Sequence, residues 1–68
     1  FLTEKGAPIV GKALKEIPLA PGALVSAIVR RGEAIVPRGD DTIEPGDTVV
    51  VVGLTEKMDQ VEMLFQPA

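Results

Sequence analysis

The feature that most constrains the fold of this chain is a run of four valines at residues 49–52, which follows a Glu-Pro-Gly-Asp turn at residues 44–47. Proline and glycine occupy the central positions that a type II turn favours, so the turn predicts where the strand begins. Consecutive valines leave no polar face, and a strand that is apolar on both faces has to be covered on both faces. In a chain of 68 residues, such a strand constrains the architecture and points to a partner.

The composition argues against several classes of function. Cysteine and histidine are absent, which removes disulfides, thiolate metal ligands and the commonest general base. With two aromatic residues and a net charge of −3, the chain lacks the stacking platforms and the basic face of a nucleic-acid binder. No apolar run approaches the roughly 20 residues of a membrane span. We therefore expect a domain that is not an enzyme, with no catalytic residue, no cofactor, no nucleic-acid partner and no direct membrane insertion.

The length predicts a single domain over residues 1–68. A domain this small buries only about 60% of the surface that its unfolded chain exposes, so a second subunit or a covalent parent would stabilise it. The first residue is Phe1 rather than methionine, and we interpret the chain as a piece of a longer protein.

The element order predicts a small α+β domain: a mixed sheet of about four strands with two helices packed on one face, in the order strand-helix-strand-strand-strand-helix. An edge strand is expected over residues 1–5. A first helix is expected over residues 9–17, because apolar residues recur there at helical spacing and Pro18 ends the pattern.

The rest of the chain carries clear strand and turn signals. Residues 23–30 and 33–36 are rich in valine and isoleucine and predict two strands joined by a compact reversal at Arg31 and Gly32. The last strand is expected over residues 48–52, and a closing helix follows it. Its apolar stripe, at helical spacing, consists of Met58, Val61, Leu64 and Phe65.

Two short helices can cover only one face of this sheet, so we expect the other face to meet a partner. That partner is either another subunit, as in a homodimer, or another part of the parent protein. The residues assigned to this partner face are Val25, Ala27, Val29, Val49 and Val51.

Three arginines, Arg30, Arg31 and Arg38, lie at the ends of two strands that are expected to pair. Guanidinium groups bind phosphate and carboxylate oxygens bidentately, so these residues are candidates for an anion site. The alternative is a solvated hairpin tip whose arginines pair with Glu33 or Asp40, since exposed ion pairs are common and nearly neutral in energy.

Other polar groups point to chemistry less specifically. The acidic residues of the loop at 40–47 could hold calcium, but their spacing does not match an EF-hand loop, so no metal site is predicted. Asp47 is expected to bond backbone amides of its own turn. Ser26 has no histidine to activate it, and its hydroxyl is expected to be buried and to bond a backbone carbonyl. Lys12 and Lys15 could contact phosphate, although a solvated helix face is the usual reason for such lysines.

The ordered motifs APIVGKALKEI, ALVSAIVRRGEAIVP and TIEPGDTVVVVG, followed by a helix ending in LF, are similar to a known family. Together they resemble the C-terminal regulatory subdomain of TrkA-type potassium-transport regulators, also called the RCK C-terminal domain. The resemblance covers residues 9–65. The positions that carry it are Gly11, Leu14, Arg30, Gly32, Pro37, Ile43, Gly46 and Asp47.

The resemblance implies a cytosolic, non-catalytic domain that dimerises and that sits behind a Rossmann-type nucleotide-binding domain in regulators of membrane ion transporters. Such domains also occur in antiporters and carboxylate permeases. Some members bind small effectors, and cyclic di-AMP binds across the dimer near the junction of the first helix and the second strand. In those members the junction carries an arginine and an asparagine, whereas residues 18–23 here contain neither. The Rossmann glycine fingerprint is also absent, so NAD or ATP binding by that mechanism is not expected.

Leu19 and Ala23, at this junction, and Pro37, after the third strand, join the three arginines as candidate ligand-binding residues. The leading hypothesis is a ligand-sensing, dimerising module of a potassium or other cation transport system. One alternative is a ligand-free assembly domain of a carboxylate or proton-coupled permease. Another is a small swapped-hairpin DNA-binding dimer, against which the pI of about 4.7 argues.

Overall fold

The computed structural model describes residues 1–19 and 21–67. Within them, the chain forms a three-stranded antiparallel sheet with the strand order β2-β1-β3. The elements are β1 (Ala23–Arg30), β2 (Glu33–Ile35), β3 (Thr48–Gly53), the helix α1 (Met58–Phe65), and two 3₁₀ turns at Leu14–Glu16 and Thr55–Lys57. No helix in the described ranges is long and apolar enough to cross a membrane.

Two tight turns fix the strand boundaries, and both were predicted. Arg30 pairs with Glu33 across a two-residue loop, in which Arg31 and Gly32 have φ angles of 52° and 79°. Positive φ at both central residues is the geometry of a type I′ hairpin turn. Before β3, Gly46 has a φ of 91°, as the third position of a type II turn requires.

The mixed, four-stranded sheet that the sequence predicted is not what the structure shows. The three strands are antiparallel, and residues 1–5 form no strand: Leu2 makes a single isolated bridge to Thr48. Backbone bonds of 2.7–2.8 Å between residues 1–3 and 46–49 hold this segment beside β3. The pairing ends after three residues because the chain turns away at residues 5–6.

The first predicted helix, over residues 9–17, is also wrong. Gly11 has a φ of 84°, in the left-handed region, so an α-helix cannot continue through it. The backbone amides of Gly11, Leu14 and Lys15 donate instead to the carbonyls of Ile43, Asp41 and Gly39, at 2.9–3.1 Å. Only the turn Leu14–Glu16 is helical, and it is a 3₁₀ turn. The apolar residues do recur at helical spacing, but these three backbone N–H groups bond to the loop at residues 39–43 and not within a helix.

The closing helix is present and forms one side of the core, as predicted. Val61 and Phe65 are buried, and Met58 and Leu64 pack against the core from its edge. The ring of Phe65 stacks on Phe1 with 4.9 Å between centroids. Within the described ranges, the buried apolar side chains are Ala7, Ile9, Ile17, Val25, Ile28, Ile43, Val49, Val61 and Phe65.

The predicted partner face combined residues from both sides of the sheet. Val25 and Val49 belong to the domain's own core, and Val51 packs against it. Ala27 pairs with Val50 and Val29 pairs with Thr48, on the opposite side of β3. The cause is a β-bulge between Val25 and Ala27, which breaks the strict alternation that the prediction assumed.

The extra residue of the bulge is Ser26. It is exposed, and its hydroxyl donates to the carbonyl of Val50 at 3.2 Å. The expected bond to a backbone carbonyl is therefore present, but on the surface.

Candidate functional site

Two cavities divide the predicted ligand-binding residues between them. The hairpin cavity, of about 270 Å³, contains Arg30 and Arg31 and is completed by residues 44–47. The apolar pocket, of about 230 Å³, contains Leu19, Pro37 and Arg38. The candidates therefore do not form one site. Ala23, the sixth candidate, lines neither cavity and packs half-buried against the core.

In the hairpin cavity, the guanidinium of Arg30 is held by three acceptors. It forms a bidentate pair with the carboxylate of Asp47, from Nε at 2.9 Å and from Nη2 at 2.8 Å. Its Nη1 lies 2.7 Å from a carboxylate oxygen of Glu44, and its Nη2 also donates to the carbonyl of Thr42 at 3.1 Å. With these donors occupied, Arg30 ties β1 to the turn before β3.

Asp47 is the centre of this arrangement. Its side chain is buried, and besides Arg30 it accepts a hydrogen bond from the backbone N–H of Glu44 at 2.9 Å. The guanidinium of Arg30 lowers the pKa of the Asp47 carboxyl, and the Glu44 amide adds to the effect against the opposing cost of burial. The predicted bond to a turn amide is confirmed, whereas the predicted hairpin partners of the arginines, Glu33 and Asp40, are not the partners of Arg30.

The apolar pocket is assembled from three segments. Leu14 and Lys15 come from the first 3₁₀ turn, Leu24 and Val25 from the start of β1, and residues 37–39 from the loop after β2. The backbone bonds from Leu14 to Asp41 and from Lys15 to Gly39, at 2.9 and 3.0 Å, hold the 3₁₀ turn against that loop. The pocket therefore exists only in the folded chain.

Charged groups stand at the edge of this apolar pocket. Nζ of Lys15 pairs with Oδ1 of Asp40 at 2.8 Å, and both side chains are mostly exposed. Arg38 has its backbone N–H capped by Oδ2 of Asp41 at 2.8 Å, while its side chain forms no ion pair within residues 1–19 and 21–67. An apolar interior with cations at the edge suits a ligand that combines a flat apolar part with an anionic group.

The pocket borders an uncovered side of the sheet, the outer sheet face, which consists of Leu24, Ala27, Val29, Val50 and Val52. Leu24 pairs directly with Val52, and these side chains are 66% and 59% exposed. Because Leu24 also lines the pocket, the pocket and the outer sheet face are continuous.

Sequence reasoning identified part of the pocket and missed the rest. Lys15 was weighed as a phosphate contact, and Leu19, Pro37 and Arg38 were named as candidates. Leu24 was missed because both faces of its strand are apolar, so the sequence does not mark which residues stay exposed. Asp40 was considered as an ion-pair partner of an arginine. Its actual partner, Lys15, is 25 residues away in the chain, and no sequence signal near either residue predicts that pair. Ala20, within the 18–23 junction, lies outside the described residues.

The carboxylates of the acidic loop, residues 40–47, have partners inside the domain. Asp40, Asp41, Glu44 and Asp47 are each bonded to a cation or to a backbone amide. Within the described ranges, no three histidine, cysteine or acidic side chains come together as a metal site would need.

Comparison with known proteins gives a consistent result. The family model described as the TrkA-C domain matches residues 1–66. An RCK domain solved with cda is 29% identical, with a TM-score of 0.75 over 96% of this chain and 89% of that one. The RCK_C domain dimer of S. agalactiae BusR in complex with c-di-AMP is 25% identical, with a TM-score of 0.81 over 96% of this chain and 84% of that one.

A longer relative places the same fold in a larger protein. S. agalactiae BusR in complex with its busAB-promotor DNA also has 25% identity and a TM-score of 0.81 over 96% of this chain. The chain spans only 33% of that protein. No curated protein matches the chain significantly.

Proposed function

This chain belongs to the TrkA-C domain family, and from that premise we propose that it is a non-catalytic regulatory domain that dimerises and senses a small nucleotide effector for a cation-transport system. The observation that carries the proposal is the continuity between the apolar pocket and the outer sheet face. A subunit that covers this face would also stand over the pocket. Ligand binding and subunit association would then be coupled.

The lining of the pocket supports a nucleotide as the effector. Leu14, Leu19 and Pro37 offer apolar surface for a purine, and Lys15 and Arg38 offer cations for a phosphate. The RCK_C dimer of BusR was solved with c-di-AMP, which makes cyclic di-AMP the first effector to test. Since residues 18–23 lack arginine and asparagine, Lys15 and Arg38 would supply the cationic contacts here.

The size of the pocket supports a site shared by two subunits. Its volume of about 230 Å³ lies below the roughly 300 to 1,000 Å³ of sites that enclose drug-sized ligands. A cyclic dinucleotide would extend beyond one pocket, along the edge of the outer sheet face, to the equivalent pocket of a second copy. Covering Leu24, Val50 and Val52 would also remove apolar surface that a small domain otherwise leaves in water.

The mechanism we propose is a population shift. An effector that bridges two subunits binds one relative orientation better than others and so favours it by the difference in binding free energy. The favoured orientation of the two subunits would in turn change the orientation of an attached or associated Rossmann-type domain, and so regulate a membrane transporter. The domain would act from the cytoplasmic side. We retain the expectation that this domain itself binds no nucleic acid, given its net charge of −3.

The test combines sedimentation with calorimetric titration of cyclic di-AMP. We expect the wild-type domain to sediment as a dimer at micromolar concentration and to bind the nucleotide. Val52→Asp places a charge on the outer sheet face and should give a folded monomer that binds weakly. Met63→Asp, at an equally exposed position on α1, is the matched control and should remain dimeric. A wild-type protein that is monomeric with the nucleotide present would contradict the proposal.

One observation favours a second candidate, a ligand-free assembly domain of a permease. The donors of Arg30 are occupied within the domain, and residues 18–23 lack the polar pair that the effector-binding members carry. A stable dimer with no calorimetric response to cyclic di-AMP or other nucleotides would favour this candidate.

A further inference from the structure

The two cations at the edge of the apolar pocket are in different states. Arg38 forms no side-chain hydrogen bond or ion pair within residues 1–19 and 21–67. Lys15 is engaged, because its Nζ lies 2.8 Å from Oδ1 of Asp40. An anionic ligand can approach Arg38 directly, but at Lys15 it competes with the carboxylate of Asp40.

We propose that Asp40 is an internal competitor for the anionic group of the effector, and that Lys15 exchanges between the two. This inference rests on the proposed function, since it concerns how the same pocket selects its ligand. Asp40 holds Lys15 when the pocket is empty and releases it when a phosphate takes its place. It is therefore a specificity-determining residue that contacts no part of the ligand.

The position of Asp40 is fixed by the backbone around it. Its neighbours Gly39 and Asp41 accept backbone hydrogen bonds from Lys15 and Leu14, at 3.0 and 2.9 Å. These bonds keep the backbone of Asp40 beside the backbone of the 3₁₀ turn, within reach of the Lys15 side chain. The competitor therefore lies next to the pocket, one residue beyond Gly39 of its lining.

Because the Lys15–Asp40 pair is exposed, separating it requires little free energy. The side chains of Lys15 and Asp40 are 64% and 87% exposed, so both ions remain hydrated. Exposed ion pairs contribute at most about 1 kcal/mol, which corresponds to about a fivefold change in an equilibrium constant. Asp40 should thus weaken the binding of the effector by a few-fold without blocking the pocket.

The exchange also favours ligands with more than one negative charge. A ligand with a single negative charge attracts Lys15 about as strongly as Asp40 does. Replacing Asp40 therefore changes the free energy of binding little. A ligand with two phosphates can bind Arg38 with one and still compete for Lys15 with the other. The chemical class that the pocket selects is therefore a dianionic nucleotide.

Titration of cyclic di-AMP into four variants of the domain tests this inference. We expect Asp40→Asn to bind about two- to fivefold more tightly than wild type, and Lys15→Gln to bind several-fold more weakly. In the double variant, Asp40→Asn should bring no gain, because no lysine is left to release. Glu16→Gln removes a negative charge from the same 3₁₀ turn and is the control, with unchanged affinity expected.

Salt dependence gives a second measure. In the wild type, salt weakens the Lys15–Asp40 pair and the Lys15–phosphate attraction together, so the two effects partly cancel. In Asp40→Asn only the second remains, so its affinity should fall more steeply with salt. An equal gain from Asp40→Asn with and without Lys15 would overturn the inference while leaving the proposed function standing. Absence of binding to the wild type would overturn both.

Discussion

The hairpin cavity and the apolar pocket are similar in volume, about 270 and 230 Å³, and each has two cations among its lining residues. They differ in how one of their cations is held, since Arg31, like Arg38, forms no ion pair within the described ranges. Arg30 is held in the hairpin cavity by a buried carboxylate, a second carboxylate and a carbonyl. In the apolar pocket, Lys15 has one exposed partner and the Arg38 side chain has no ion-pair partner within the described ranges. Cations that the fold has already satisfied stabilise it, whereas cations that it leaves exchangeable can bind a ligand.

The largest effect that separates the two regions should be on stability. Asp47→Asn removes the charge that pairs with Arg30 and disturbs a buried hydrogen-bond network, so we expect a loss of about 2–3 kcal/mol in the free energy of unfolding. Asp40→Asn, in the exposed pair at the pocket, should change it by less than about 0.5 kcal/mol. Urea unfolding followed by circular dichroism, at one protein concentration, measures both. Equal losses would mean that the two regions do not differ as described.

The next effect should appear in binding. Arg38→Gln removes the cation of the apolar pocket that has no ion-pair partner within the described ranges. It should weaken the binding of cyclic di-AMP by about tenfold and leave the free energy of unfolding unchanged. Arg31→Gln makes the same change at the hairpin cavity and should leave the affinity at the wild-type value. If titration shows the reverse order, the effector site belongs at the hairpin.

The smallest effect should appear in acid. The pKa of the Asp47 carboxyl is lowered from its ordinary value of 3.8, so its contribution to stability is present above that value. As the pH falls below about 3.8 and through the folded-state pKa, that contribution is lost. The difference in unfolding free energy between wild type and Asp47→Asn should therefore shrink over this range. A difference that stays constant from pH 6 to pH 2, at about the same protein concentration, would mean that Asp47 does not act through its charge.

What could be predicted from the sequence was local. The reversal at Arg31 and Gly32, the turn at residues 44–47 and the stripe on α1 all depend on neighbours within four positions. Each of them is present. The resemblance of the ordered motifs to one family also proved correct, because it draws on the spacing of several such signals.

What could not be predicted depends on partners far apart in the chain. The segment at residues 9–17 has helical spacing, yet the amides of Gly11, Leu14 and Lys15 bond to the loop at 39–43, and most of the segment is not helical. The bulge at Ser26 has no sequence signal, because the strand is apolar on both sides. It places Val25 in the core, although the alternation had assigned that residue to the partner face. The partner of Arg30 is Asp47, 17 residues away, and only the folded chain brings them together.

The central claim is that two copies of this domain share one effector at the edge of the outer sheet face. The most direct measurement is the stoichiometry of cyclic di-AMP binding to the wild-type domain by isothermal titration calorimetry. Because one pocket holds only part of the nucleotide, we expect one nucleotide per two chains, and only weak binding by a monomeric Val52→Asp variant. One nucleotide per chain, with the same affinity in that variant, would contradict it.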